Sequence, residues 1–293
     1  MQIDLSDVAA RHPAARPGAA PAIQALSLRV AAGEQVAVIG PSGAGKTTLL
    51  QLLACALPPL AGAVDLDGMA PWQLPRSALQ RLRGRLFLAP QVPPLPPRQR
   101  VVTAVLAGAL PGMGLWASLR SLLYPADLPA AFAALQQFDL GDKLFDRVDR
   151  LSGGERQRVG LARTLLAPAS LWLIDEPLSA LDPTRAQQAI RTLVQAARQR
   201  GATLVATLHQ VDAALAHFPR IVGLRDGALV FDLPAGQVTP ERLARLYANE
   251  RSSAAPALAG VPDGLSDGLP DGLPNGLPNG FSDSARPVVT YCR

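Results

Sequence analysis

The sequence predicts an α/β fold, and three apolar runs carry that expectation: residues 35–40 (QVAVIG), 170–177 (SLWLIDEP) and 203–209 (TLVATLH). Each is almost continuously apolar, the pattern of strands covered on both faces. The first runs straight into a glycine-rich segment and then into KTTLLQLLACAL, an apolar run of helical content, so strand, loop and helix follow one another in order.

The remaining elements fit around that frame. Residues 1–30 read as short strands and turns with an Ala-, Pro- and Gly-rich loop at 9–21, and AIQALSLRV (22–30) alternates as an edge strand does. Gly33 and Glu34 form a turn. Residues 92–150 open on a proline cluster, VPPLPPRQR, and continue as a mostly helical insert with candidates at 101–110 and 130–138, broken by Pro111, Gly112 and Gly114. Asp182 is a helix N-cap with Pro183 in the first turn, where a missing N–H costs nothing. Ala186, Ile190, Leu193, Val194 and Ala197 give that helix a single apolar stripe. Asp226 and Gly227 stand between two short apolar runs and predict a hairpin. Beyond about residue 251 the composition changes, and DGLSDGLPDGLPNGLPNG (263–280) repeats in a four-residue rhythm with neither helical nor strand period. Residues 251–293 are expected to form a disordered tail, and the rhythm excludes the three-residue period of collagen.

A chain of 293 residues can bury an extensive core and needs no staple. Its two cysteines, Cys55 and Cys292, make no disulfide framework, and Cys55 is expected within the apolar helical run as a small hydrophobe. No apolar stretch approaches the roughly 20 residues that span a bilayer, so the expected protein lies against a membrane without crossing it. The net charge of +5 and the grouping of Arg76, Arg81, Arg83 and Arg85 invite a nucleic-acid reading. No aromatic ladder accompanies these arginines, and nucleic acid is not expected as a partner.

GPSGAGKT, Gly40 to Thr47, has the spacing of a phosphate-binding loop. Gly40, Pro41, Ser42, Gly43, Ala44 and Gly45 let successive N–H groups curl around a phosphate, and the following helix, with Thr48 in its first turn, aims its positive end at the anion. Lys46 is placed to bridge β- and γ-phosphates, and the Thr47 hydroxyl to bind Mg2+. LWLIDEP puts two acids at a strand end: Asp175 to hold Mg2+ through water, Glu176 to polarise the attacking water. These motifs specify a nucleoside triphosphatase and leave kinases, helicases and GTPases open.

LSGGERQRVGLAR (151–163) is a second glycine-led helix start, with Ser152, Gly153 and Gly154 exposing N–H groups before a helix that begins near Glu155. Two anion-binding helix starts in one chain make sense if the second completes the site of another copy. With these residues in view, about residues 1–250 resemble the ATP-binding cassette (ABC) family. The resemblance implies a P-loop NTPase of the cassette type: a mixed α/β core, an antiparallel N-terminal β subdomain and a helical subdomain at about 92–160. It implies ATP and Mg2+ as cofactors and a head-to-tail homodimer in which Ser152, Gly153 and Gly154 of one cassette close over ATP on the Lys46 loop of the other. By family order, Gln91 is similar to the glutamine that touches Mg2+ or the attacking water, and His209 to the switch histidine that reaches the γ-phosphate. SALD (179–182) resembles the loop that signals across the dimer. Where cassettes stack adenine on an aromatic residue, this chain offers His12, which is either a stacking imidazole or a solvent-facing loop residue.

The short insert and the single cassette imply a transporter subunit at the cytoplasmic face of the (inner) membrane, bound to integral permease subunits and, through them, to a periplasmic or extracellular substrate-binding protein. VLAGAL (105–110), WASLRSLLYP (116–125), the LHQVD stretch (208–212) and ALVFDLPAGQVT (228–239) resemble the phosphonate-importer ATPases. The LAPQVPPLPPRQ segment departs from that subgroup where the membrane subunit docks. Phosphate or another small solute, an exporter, and a soluble ATP-driven switch are the alternatives.

Overall fold

A computed structural model describes residues 1–16, 18–124 and 127–248; the repeat-bearing stretch after residue 251 lies outside the described residues. A six-stranded sheet forms the centre, in the spatial order β5 (Leu86–Ala89), β6 (Leu171–Asp175), β7 (Thr203–Leu208), β3 (Gln35–Ile39), β8 (Arg220–Arg225) and β9 (Ala228–Pro234). All neighbours run parallel except β9, which returns antiparallel on β8 through the Asp226–Gly227 turn.

Alternation along the central strands explains why their sequences look continuously apolar. Val36, Val38, Leu171, Leu173 and Val205 enter one core cluster, while Ala37, Ile39, Trp172, Ile174, Leu204 and Ala206 enter another. Side chains on a strand alternate faces, so both sets are buried only when both faces are covered. One face carries the first helix, α1 (Lys46–Leu53), and a three-stranded antiparallel sheet of β2 (Ile23–Val30), β1 (Ile3–Ala10) and β4 (Ala61–Leu66). The edge strand read at 22–30 is β2, whereas β1 extends two residues into the stretch expected to be loop.

Between β5 and β6 lies the helical segment: α3 (Val101–Leu106), a 3-10 stretch (Ala107–Gly112), α4 (Leu115–Leu123), α5 (Leu128–Gln136) and α6 (Gly153–Leu166). Here α2 is the short helix Arg76–Arg83, which carries the first arginines of the basic group. Pro111 sits inside the 3-10 stretch, which is where the first helical candidate stops being α-helical. Arg158 of α6 donates to the Phe138 carbonyl across 2.6 Å, tying the end of the α5 region to α6.

The helix over 183–199, α7 (Pro183–Gln199), begins as read: Asp182 accepts from the Arg185 N–H, and all five residues of the apolar stripe are buried. Cys55 differs from expectation. The helix ends at Leu53 with Ala54 as its C-cap, and Cys55 follows in the left-handed region at φ 54°. It is still a buried thiol, pushed up to about 11 by burial, and therefore unreactive.

Candidate active site

The parallel strands deliver their functional residues to one edge of the sheet. Gly40 follows the carboxyl end of β3, Gln91 that of β5, Asp175 and Glu176 that of β6, and His209 that of β7. Ligands of open α/β sheets bind at this edge because every strand there hands over to a loop or helix start.

The glycine-rich loop wraps Lys46. Its Nζ donates to the carbonyls of Gly40 (2.8 Å) and Pro41 (3.0 Å), so the side chain folds back along its own loop and is 5% exposed. Gly45 has φ 97°, and a Cβ there would meet the Ala22 carbonyl and the Ile23 side chain. The loop is braced from far along the chain. The Gly227 N–H donates to the Ala44 carbonyl (3.2 Å), the Gln24 N–H donates to the Gly227 carbonyl (2.9 Å), and Gly40 backs directly onto the Leu224 carbonyl.

A cleft of about 430 Å³ opens over this loop, lined by Ser42, Gly43, Ala44, Gly45, Lys46, Thr47 and Thr48 together with His12, Ala22, Gln91 and Glu176. His12 therefore stands at the cleft; its Nδ1 accepts from the Ala14 N–H (3.2 Å). Thr47 Oγ1 donates to Asp175 Oδ2 across 2.9 Å, bringing together a hydroxyl and a carboxylate, the hard oxygen donors that suit Mg2+. Among the described residues no group of three His, Cys, Asp or Glu could hold a metal alone. Mg2+ is ordinarily bound through one or two carboxylates and completes its shell with phosphates, water and other oxygen donors, so the donor set fits that ion as a partner of bound nucleotide.

Glu176 receives two side chains. Gln91 Nε2 donates to Oε2 (2.7 Å), and His209 Nε2 contacts Oε1. The three residues follow β5, β6 and β7, and the sheet brings them together. The glutamate side chain is 15% exposed and the imidazole 47%.

Ser152, Gly153 and Gly154 are elsewhere. They start α6 two residues earlier than expected, with a complete capping box: the Glu155 N–H donates to Ser152 Oγ (3.3 Å), and the Ser152 N–H donates to Glu155 Oε2 (2.7 Å). The Ser152 N–H first, and then the Ser152 hydroxyl, hold the Glu155 carboxyl below its usual range. Ser152 and Gly154 line a small separate recess with Ala180, Leu181, Asp182, Arg158 and Arg185, so this chain does not bring them to its own Lys46 cleft.

The sequence marks Thr207 only as part of a buried strand, yet its hydroxyl donates to Asp175 Oδ1 (2.6 Å) and accepts from the Glu176 N–H (3.0 Å). A second threonine in a mostly apolar strand, two positions before His209, is the signal available in the sequence.

A parallel sheet with a lysine-bearing phosphate loop after one strand and paired acids after another defines a phosphate-loop nucleoside triphosphatase. The family model described as ABC transporter matches residues 23–179, and the chain belongs to that family as an ATP-hydrolysing transporter subunit. It is 71% identical over 248 residues to "Phosphonates import ATP-binding protein PhnC 2" of Albidiferax ferrireducens, covering 85% of this chain and 90% of that protein. It is 58% identical over 233 residues to a protein of the same description from Pseudomonas aeruginosa, covering 80% of this chain and 87% of the relative. Among solved structures, the ATP-binding cassette MJ0796, in a dimeric post-hydrolysis state bound to ADP and Pi, is similar at TM-score 0.68 and 25% identity, covering 80% of this chain and 98% of that one.

Proposed function

We propose that this chain energises the import of phosphonates by nucleotide-driven closure of a cassette dimer. The observation that carries the substrate reading is 71% identity, over most of both chains, to two proteins described as phosphonate import subunits. In this reading residues 1–250 are the cassette, and its helical arm spans about 92–160.

ATP lies in the cleft over the phosphate loop, its phosphates bound by the loop N–H groups and by Lys46, with His12 against the base. Thr47, Asp175 and Gln91 would hold Mg2+, which would supply charge neutralisation to the nucleotide phosphates. Glu176 orients and polarises water for in-line attack on the γ-phosphorus, and His209 holds that carboxylate and reaches the γ-phosphate. The remaining donors, Ser152, Gly153 and Gly154, come from a second copy. Two observations support this: Ser152 and Gly154 open onto a recess separate from the Lys46 cleft, and the related MJ0796 cassette is dimeric.

No helix among the described residues is long and apolar enough to cross a membrane; in this reading separate permease subunits couple the chain to transport. The chain then sits peripherally on the cytoplasmic face of the inner membrane, and an extracytoplasmic binding protein delivers the substrate.

The test is growth of the source cell, freed of other phosphonate uptake systems, with a phosphonate or inorganic phosphate as sole phosphorus source. Lys46→Ala is expected to abolish growth on the phosphonate alone. Equal growth of variant and wild type on both sources would overturn the phosphonate reading and direct attention to another solute or to export. Failure of the chain to co-purify with a polytopic membrane protein would favour a soluble switch.

A further inference from the structure

We infer that Thr207 is a positioning residue for hydrolysis, its single hydroxyl fixing both adjacent acids; the inference rests on the reading of Asp175 and Glu176 given above. Thr207 is wholly buried in β7, directly paired with Asp175 of β6 on one side and Val38 of β3 on the other. Two residues back on the same strand face, Val205 lies in an apolar cluster with Val36 and Val38. Valine would satisfy the packing here. A hydroxyl in such a place is costly unless its bonds are made.

They are made, and in one direction only. A backbone N–H can only donate, so the Glu176 N–H uses the threonine oxygen as acceptor, and the threonine proton is left for Asp175 Oδ1. The other aspartate oxygen accepts from Thr47. Two threonines from different elements thus hold the two carboxylate oxygens and set the plane of the group.

The bond to Glu176 addresses a separate geometric problem. Successive strand residues face opposite ways, so Asp175 and Glu176 share a site only if the chain turns between them. Glu176 has φ 45°, a left-handed conformation that side-chain-bearing residues rarely adopt, and its N–H is the group that Thr207 holds. From that turn the carboxylate meets Gln91 and His209. One strand therefore delivers His209 directly and orients its partner acid through Thr207.

The test compares Thr207→Val, which keeps the shape and deletes the hydroxyl, with Thr207→Ser, which keeps the hydroxyl and deletes a methyl, in the full chain. At saturating ATP and Mg2+, the kcat of Thr207→Val is expected to fall at least about tenfold with KM changed less than about threefold. Titration of Mg2+ into the protein with a fluorescent ATP analogue should show weaker Mg2+-dependent binding in that variant, while Mg2+-free binding is retained. Thr207→Ser should stay within about threefold of wild type in both measurements.

A packing role predicts the opposite order, because serine leaves the cavity and valine does not. Thr207→Ser failing as badly as Thr207→Val, or Thr207→Val turning over normally, would overturn the inference. Glu176→Gln run in parallel separates the two levels. Lost turnover there with normal turnover in Thr207→Val sinks the positioning role alone, whereas normal turnover in Glu176→Gln removes the role assigned to the acids and this inference with it.

Discussion

Gln91 donates through Nε2 to Glu176 Oε2 across 2.7 Å, so a residue beyond the end of β5 holds the carboxylate at the end of β6. A hydrogen bond to a charged group contributes about 1.5–3 kcal/mol. Replacing Gln91 with alanine is expected to lower the steady-state ATPase rate about tenfold or more, on the rule that about 1.4 kcal/mol is tenfold, with ATP binding little changed. A rate equal to wild type would show that this contact does not serve hydrolysis.

His209 meets the other oxygen of the same carboxylate. His209→Ala should reduce phosphate release on the order of a hundredfold, the usual scale for losing a positioned acid–base partner. Equilibrium binding of a fluorescent ATP analogue should stay within about threefold, because the loop that holds the phosphates is untouched. Parallel loss of binding and turnover would instead point to a structural role for the imidazole.

His12 lines the cleft, and its imidazole is a small aromatic ring. Stacking on an aromatic side chain contributes about 1–3 kcal/mol per base, and a larger ring should gain a fraction of that. His12→Tyr is therefore expected to tighten ATP binding a few-fold, and His12→Ala to weaken it. Calorimetry giving the same Kd for all three proteins would remove His12 from base recognition.

The start of α6 carries a capping box, and removing one cap bond costs about 1 kcal/mol. Because the folded Glu155 carboxyl is held below its ordinary value of 4.5, its contribution is complete above that value and is lost as pH falls through the lower folded value. Urea unfolding of Glu155→Ala against wild type should show a gap near neutral pH that closes as the solution is acidified below about 4.5. A gap that persists at low pH would mean that the charge is not its source.

Local chemistry made much of this legible in the sequence. The phosphate loop, the acids at 175 and 176 and the Asp182 cap with Pro183 each depend on neighbours within a few positions, so their spacing is their signal. What the sequence does not show depends on distant partners or breaks the burial pattern. The helix α4 exposes Leu115, Trp116 and Leu119, so these three apolar residues do not mark an inward face. β4 shows no buried residue in its first half. Thr207 looks like any β-branched strand residue until Asp175 is brought beside it. The end of α1 was set by the left-handed turn at Cys55, which nothing in an apolar run of leucine and alanine announces.

The bracing of the phosphate loop also fixes the order in which the protein can mature. β3 has β7 and β8 as its strand neighbours, and the loop after it rests on Leu224 and Gly227. The nucleotide loop is translated early, yet its supports leave the ribosome about 180 residues later, and such long-range parallel pairing is slow to form. A nascent chain therefore carries its most recognisable motif for most of synthesis without a floor beneath it. Competence to hold nucleotide arrives late, once the β8–β9 hairpin has emerged.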